Sequence, residues 1–97
     1  MQSVVVKRGD KHATRWVAVG VDLTGSTVRL LAKLENSPTI ELEAMISDPE
    51  NGVVEHVLTG DLDPGVYRVE LEITKGDTVM TAPSDSYASL TVLPDLG

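Results

Sequence analysis

The chain has 97 residues, a formal net charge of −7 and no cysteine, which bounds it to one domain and excludes a disulfide-stapled fold. Its acidic balance argues against nucleic-acid binding, since phosphate contacts need clustered cations. No apolar run is long enough to span a bilayer or to form the core of a signal peptide, so the expectation is a soluble domain made in a cytoplasm. Aromatic residues are scarce: Trp16, Tyr67 and Tyr87, with no phenylalanine. The core must therefore be built from Val, Leu, Ile and Met.

Alternation, turn residues and β-branched side chains dominate, and no segment keeps a helical period. Residues 3–6 read as a first strand, followed by a polar turn at Arg8-Gly9-Asp10-Lys11. Residues 13–19 form a second strand containing Trp16, and the Asp22–Gly25 turn releases a long strand at 26–34. There Val28, Leu30, Ala32 and Leu34 face one way, with Thr27, Arg29 and Lys33 opposite. After Asn36-Ser37-Pro38, residues 39–46 alternate again, with Ile40, Leu42, Ala44 and Ile46 opposed to Glu41 and Glu43.

Asp48-Pro49-Glu50-Asn51-Gly52 is a dense turn signal, because Asn-Gly readily takes positive φ angles. Residues 53–59 follow as a strand with Val54, His56 and Leu58 on one face. Beyond the Gly60–Gly65 corner, residues 66–74 give the clearest alternation, with Tyr67, Val69, Leu71 and Ile73 inward. Lys75-Gly76-Asp77 turns the chain, and a last strand over 78–93 is broken at Ala82-Pro83-Ser84, where proline permits only an edge, a bulge or a kink.

Seven to eight antiparallel strands with turns every eight to twelve residues predict an all-β fold, an immunoglobulin-like β-sandwich. Tyr67 sharpens this reading. A tyrosine at the start of a late strand, just after a crossing between sheets, can bond back to the corner backbone as a tyrosine corner.

Each candidate site has a plain alternative. Four of the eight basic residues, Lys7, Arg8, Lys11 and Arg15, lie in the first fifteen positions with one acid, Asp10. That segment can dock on a neighbour's acidic face, or act as a charged edge against aggregation. Trp16 is the best hot-spot candidate for a partner, with core packing as its alternative. Arg8-Gly9-Asp10 spells an integrin-recognition tripeptide but falls at turn positions. Asp61 and Asp63, with Asp22, offer carboxylates for calcium, yet calcium needs six to eight oxygens and turn bracing accounts for such residues. Glu41, Glu43, Glu55, Glu70 and Glu72 predict an acidic outer sheet face.

His12 and His56 are the two histidines, far apart, and nothing gathers a nucleophile and an orienting carboxylate around either. His56 reads as a partly buried ring with a backbone partner. No catalytic role and no cofactor are expected.

The order Gly9-Asp10, Asp22-Leu23-Thr24-Gly25-Ser26-Thr27-Val28, Gly52-Val53-Val54, Asp63-Pro64-Gly65-Val66-Tyr67 and Thr81-Ala82-Pro83 resembles the N-terminal Ig-like domain of phage baseplate upper proteins. Small virion proteins of tailed phages carry similar stand-alone domains. The resemblance covers residues 9–92. It departs in the connection before the Asp-Leu-Thr-Gly turn, which is commonly longer and rich in Gly and Asp. The family's second region, which carries receptor-binding subunits, has no counterpart in these residues.

What the resemblance implies is a non-enzymatic virion structural protein, assembled in the host bacterial cytoplasm. It would bind coat, tail or baseplate subunits in many copies, with capsid decoration slightly favoured. Residues 1–97 would form one domain, with 1–8 free to extend as an N-terminal arm that pairs with its own sandwich or a neighbour's edge. The alternative is a cell-surface adhesion or carbohydrate-binding module, which would call for an export signal or exposed aromatic platforms.

Overall fold

The computed structural model describes residues 2–83 and 88–96, and within them the protein is all-β. Nine strands follow in chain order: β1 (Ser3–Lys7), β2 (Ala13–Val17), β3 (Thr27–Leu34), β4 (Ile40–Leu42), β5 (Met45–Asp48), β6 (Val53–Val57), β7 (Gly65–Lys75), β8 (Thr78–Ala82) and β9 (Ala88–Leu93). The larger sheet runs β1-β9-β7-β3-β4, with β8 also paired to β7, and the smaller runs β2-β6-β5. This two-sheet arrangement is compatible with a β-sandwich.

The strand alternation predicted for residues 26–34 and 66–74 is what builds the interface between layers. Leu30 and Ala32 of β3 are buried beside Val69 and Leu71 of β7, while Arg29 and Arg68 are exposed. Trp16 and Val54 close the core from the smaller sheet. Leu23, Leu30, Leu90 and Val54 are fully buried, and burial of each such side chain contributes about 1.5–3 kcal/mol.

Leu23 reaches the core from a loop. The Asp22 carboxylate accepts the Thr24 backbone N–H at 2.9 Å and the Thr24 hydroxyl at 2.6 Å. The resulting turn aims Leu23 inward, and its own N–H donates to the Pro49 carbonyl at 2.7 Å. Gly52 completes this corner at φ 70°. A Cβ there would lie 2.7 Å from the Val21 carbonyl oxygen and closer still to that of Ala18, so the backbones approach as near as they do only because residue 52 is glycine.

Three expectations change. The single strand over 39–46 is two strands in different sheets, because the chain crosses layers at Glu43 and Ala44. Alternation survives the crossing: Leu42 faces the core from one sheet and Ile46 from the other. The last strand is likewise two, β8 and β9, both on the same side of β7; β8 pairs with Leu71–Lys75 and β9 with Gly65–Val69. The break at Ser84 itself lies outside the described residues.

The arrangement is also not wholly antiparallel. The first strand pairs in parallel with the last, Ser3 opposite Ser89 through Lys7 opposite Leu93. Residues 3–7 thus form an edge of the chain's own larger sheet.

Candidate functional site

The predicted partner-binding residues divide between two sides of β2 and the turn before it. Lys7, Arg8 and Lys11 gather on the exposed β1–β2 connection. This turn closes through the Asp10 N–H on the Lys7 carbonyl and the Lys7 N–H on the Asp10 carboxylate, both at 3.0 Å. Arg8 and Gly9 form its tip, with Gly9 at φ 94°. Arg15 lies on the outer face of the smaller sheet, its Nε 3.9 Å from Glu55.

Trp16 points the other way. It is 3 % exposed, so it packs the core and is not a surface anchor. Alternation along β2 sets this: Thr14 and Trp16 are inward, Ala13, Arg15 and Val17 outward. The indole Nε1–H donates to the Thr14 hydroxyl at 3.0 Å, and that hydroxyl donates to the His56 carbonyl at 3.0 Å. His56, itself buried, sets its Nδ1 2.6 Å from the Glu43 carbonyl oxygen at the crossing between sheets. The backbone partner expected for His56 is therefore present. Thr14 carried no signal in the sequence beyond its inward register.

The basic turn abuts the corner after β6. A Cβ on Gly60 would stand 3.2 Å from the Gly9 carbonyl oxygen, so the two backbones touch. That corner carries Asp61 and Asp63. The Asp61 carboxylate accepts the Thr59 hydroxyl, and Tyr67 donates its hydroxyl to the Asp63 carbonyl at 2.8 Å. This is the tyrosine-corner hydrogen bond that the sequence predicts. Burial, with the Asp63 charge beside it, pushes the Tyr67 phenol above its ordinary pKa.

Next to the corner, a groove of about 330 Å³ is lined by Leu34, Pro38, Ile40, Leu62 and Tyr67, with Asp61 and Asp63 among its polar wall. One end of the two-sheet body thus brings together three loops: the basic turn at 8–12, the acidic corner at 58–64 and the connection at 35–39. Such an end can seat an apolar side chain while presenting both signs of charge.

The five glutamates expected on one acidic face are dispersed. Glu41, Glu70 and Glu72 lie on the larger sheet, Glu55 on the smaller one and Glu43 between strands. Arg29 neutralises two of them, with Nε 2.9 Å from Glu41 and a terminal nitrogen 3.3 Å from Glu72. Those contacts hold the guanidinium pKa above its ordinary value. Asp22 braces its turn through Thr24 and is held below the usual carboxylate range, first by the Thr24 hydroxyl and then by its N–H. Among the described residues no three of His, Cys, Asp and Glu gather to hold a metal ion. No protein-family model matches the chain, and no curated protein matches it in sequence.

Proposed function

We propose that this protein is a non-enzymatic, immunoglobulin-like structural module of a tailed-phage virion, binding coat or tail and baseplate subunits through the loop end just described. The carrying observation is the Tyr67–Asp63 hydrogen bond at the entry to β7. In an immunoglobulin-like assignment β7 takes the place of strand F, where a tyrosine corner belongs.

Seven of the eight remaining strands fit that assignment, with β8, hairpinned onto β7, outside it. With β7 as F, β3 and β4 stand as C and C′, β9 as G, and β1 as the leading strand beside it. The smaller sheet, β2-β6-β5, supplies B, E and D. The sequence strings that resemble the phage domains occupy the boundaries of these strands: Asp22–Gly25 before β3, Gly52 before β6 and Asp63-Pro64 before β7.

Contact through the loop end suits an inert module. The basic turn, the acidic corner and the adjacent groove offer charge and shape without requiring β-strand exchange. Repetition by symmetry then multiplies weak contacts into durable attachment. Trp16 and Tyr67 are both in the core, which weighs against a carbohydrate-binding platform; Tyr87 lies outside the described residues.

Purified particles from the producing strain should contain the chain in stoichiometric amounts, read by mass spectrometry. Reversing charge at Lys7, Arg8 and Lys11 together should deplete it from particles while leaving the isolated domain folded. Particles free of the protein would refute the reading.

A further inference from the structure

Among the described residues, five strands border the two sheets: β1, β4 and β8 in the larger, β2 and β5 in the smaller. Unpaired edges template further strand addition, and proteins blunt them with charge, bulges or brevity. β1 ends in Lys7, and β4 has three residues including Glu41. β5 has a register shift between Ile46 and Asp48. β2 carries Arg15 and has the Gln2 side chain hydrogen-bonded along its edge.

β8 has none of these devices. Its sequence, Thr78-Val79-Met80-Thr81-Ala82, holds no charge and no proline, and it pairs with β7 in unbroken register over all five residues. Val79 is 62 % exposed and Met80 44 %. Met80 lies on the same face as buried Ile73, opposite which it pairs, so the core side of the sheet continues there without full cover.

We propose that β8 is a self-association edge, along which two copies of this chain pair antiparallel about a twofold axis at Met80. The backbone geometry supplies the bonds. Gly76, at φ 59°, takes the first central position of a two-residue hairpin turn closed by Lys75 and Thr78. In such a hairpin the closing pair is hydrogen-bonded and the pairs alternate. Thr78, Met80 and Ala82 therefore bond to β7, while Val79 and Thr81 aim their N–H and C=O groups at the open edge.

Antiparallel pairing at Met80 sets Val79 opposite Thr81 of the second copy, and Thr81 opposite its Val79. Four backbone hydrogen bonds form, flanked by β-branched cross-strand pairs. A second copy is the occupant because the strand is self-complementary and uncharged. The chain as a whole carries −7, so two copies repel through most approaches but meet along β8 without a charged pair. The twofold closes the contact at a dimer. The inference does not depend on the virion reading.

One strand pair buries less than the roughly 1,000 Å² of a stable interface, so association is weak and is read at high concentration. Sedimentation equilibrium of the purified chain up to about 1 mM should show a monomer–dimer equilibrium. Association should strengthen between about 0.05 and 0.5 M salt, because screening removes the long-range repulsion. Thr81→Pro deletes an edge N–H without touching the β7 ladder, and Val79→Lys places two cations at the twofold. Each should weaken dimerisation at least about tenfold, with circular dichroism verifying that the domain stays folded. A monomer under all conditions, dimers unaffected by both variants, or association that salt weakens would each overturn the proposal.

Discussion

The side-chain amide of Gln2 hydrogen-bonds to Val17, whose backbone N–H donates to Gln2 Oε1 at 3.0 Å, and the same amide donates through its nitrogen to the Arg15 carbonyl. One side chain thus occupies two backbone groups along the outer edge of β2, as a neighbouring strand would. Since Gln2 directly precedes β1, it also ties the edge of the larger sheet to the edge of the smaller.

Gln2→Ala should cost about 1 kcal/mol, the net value of such hydrogen bonding, and should raise amide exchange at Val17. Gln2→Glu should restore slow exchange at Val17 only in part, because a carboxylate accepts from Val17 but cannot donate to Arg15. Hydrogen-exchange NMR on the two variants checks this. Equal exchange at Val17 in the wild type and Gln2→Ala would contradict it.

Tyr67→Phe removes the hydroxyl that bonds the Asp63 carbonyl and should lower stability by about 1 kcal/mol in urea. The raised phenol pKa has a second consequence. Ionisation in the unfolded chain begins near the ordinary value of about 10, while the folded phenol still holds its proton. Stability from this group is therefore complete below that pH and declines as pH rises through the folded pKa. Alkaline melting curves should fall less steeply for Tyr67→Phe.

Asp22 titrates in the opposite sense. Its folded pKa is depressed by Thr24, so its contribution is present above the unfolded carboxylate pKa and disappears as pH falls through the folded value. Thr24→Val should return the Asp22 carboxyl toward its ordinary pKa, followed by carboxyl-carbon NMR, and should flatten the acid limb of the stability curve.

Gly52→Ala should destabilise by about 1–3 kcal/mol, since a Cβ meets the Ala18 and Val21 carbonyls in a backbone conformation that L residues rarely adopt. Denaturant unfolding measures the loss. Gly20→Ala is the control: that residue also has positive φ, 76°, but open space around the added carbon, so its loss should be smaller.

His56→Leu keeps bulk in the core but leaves the Glu43 carbonyl without its ring partner. The expected cost is about 1 kcal/mol, the net value of one such hydrogen bond, again read by urea denaturation. Substitution of exposed His12 should be close to neutral.

Much of this architecture was legible because inward and outward residues differ chemically. The alternation of Tyr67 through Ile73 located β7 and its faces, and Asp48–Gly52 located the turn before β6. The crossing at Glu43 and Ala44 was hidden because an edge crossing keeps apolar residues inward on both sides. Hence the glutamates seemed to share a face, when the crossing and the second sheet separate them. The loop end was only half visible. Lys7, Arg8 and Lys11 announced themselves by charge, but the groove beside Tyr67 is assembled from three distant segments. Trp16 illustrates the limit: a lone tryptophan in a strand suits a partner or a core, and only the second sheet decides.

The parallel pairing of β1 with β9 joins Ser3 to Ser89, residues distant in sequence. Such a contact has a long loop to close, and topologies dominated by distant pairings fold slowly. Until β9 is in place, β1 has its sheet partner missing. A chain cut before residue 88 would leave both β1 and the first half of β7 without their neighbour, so it is the arrival of β9 that completes the larger sheet.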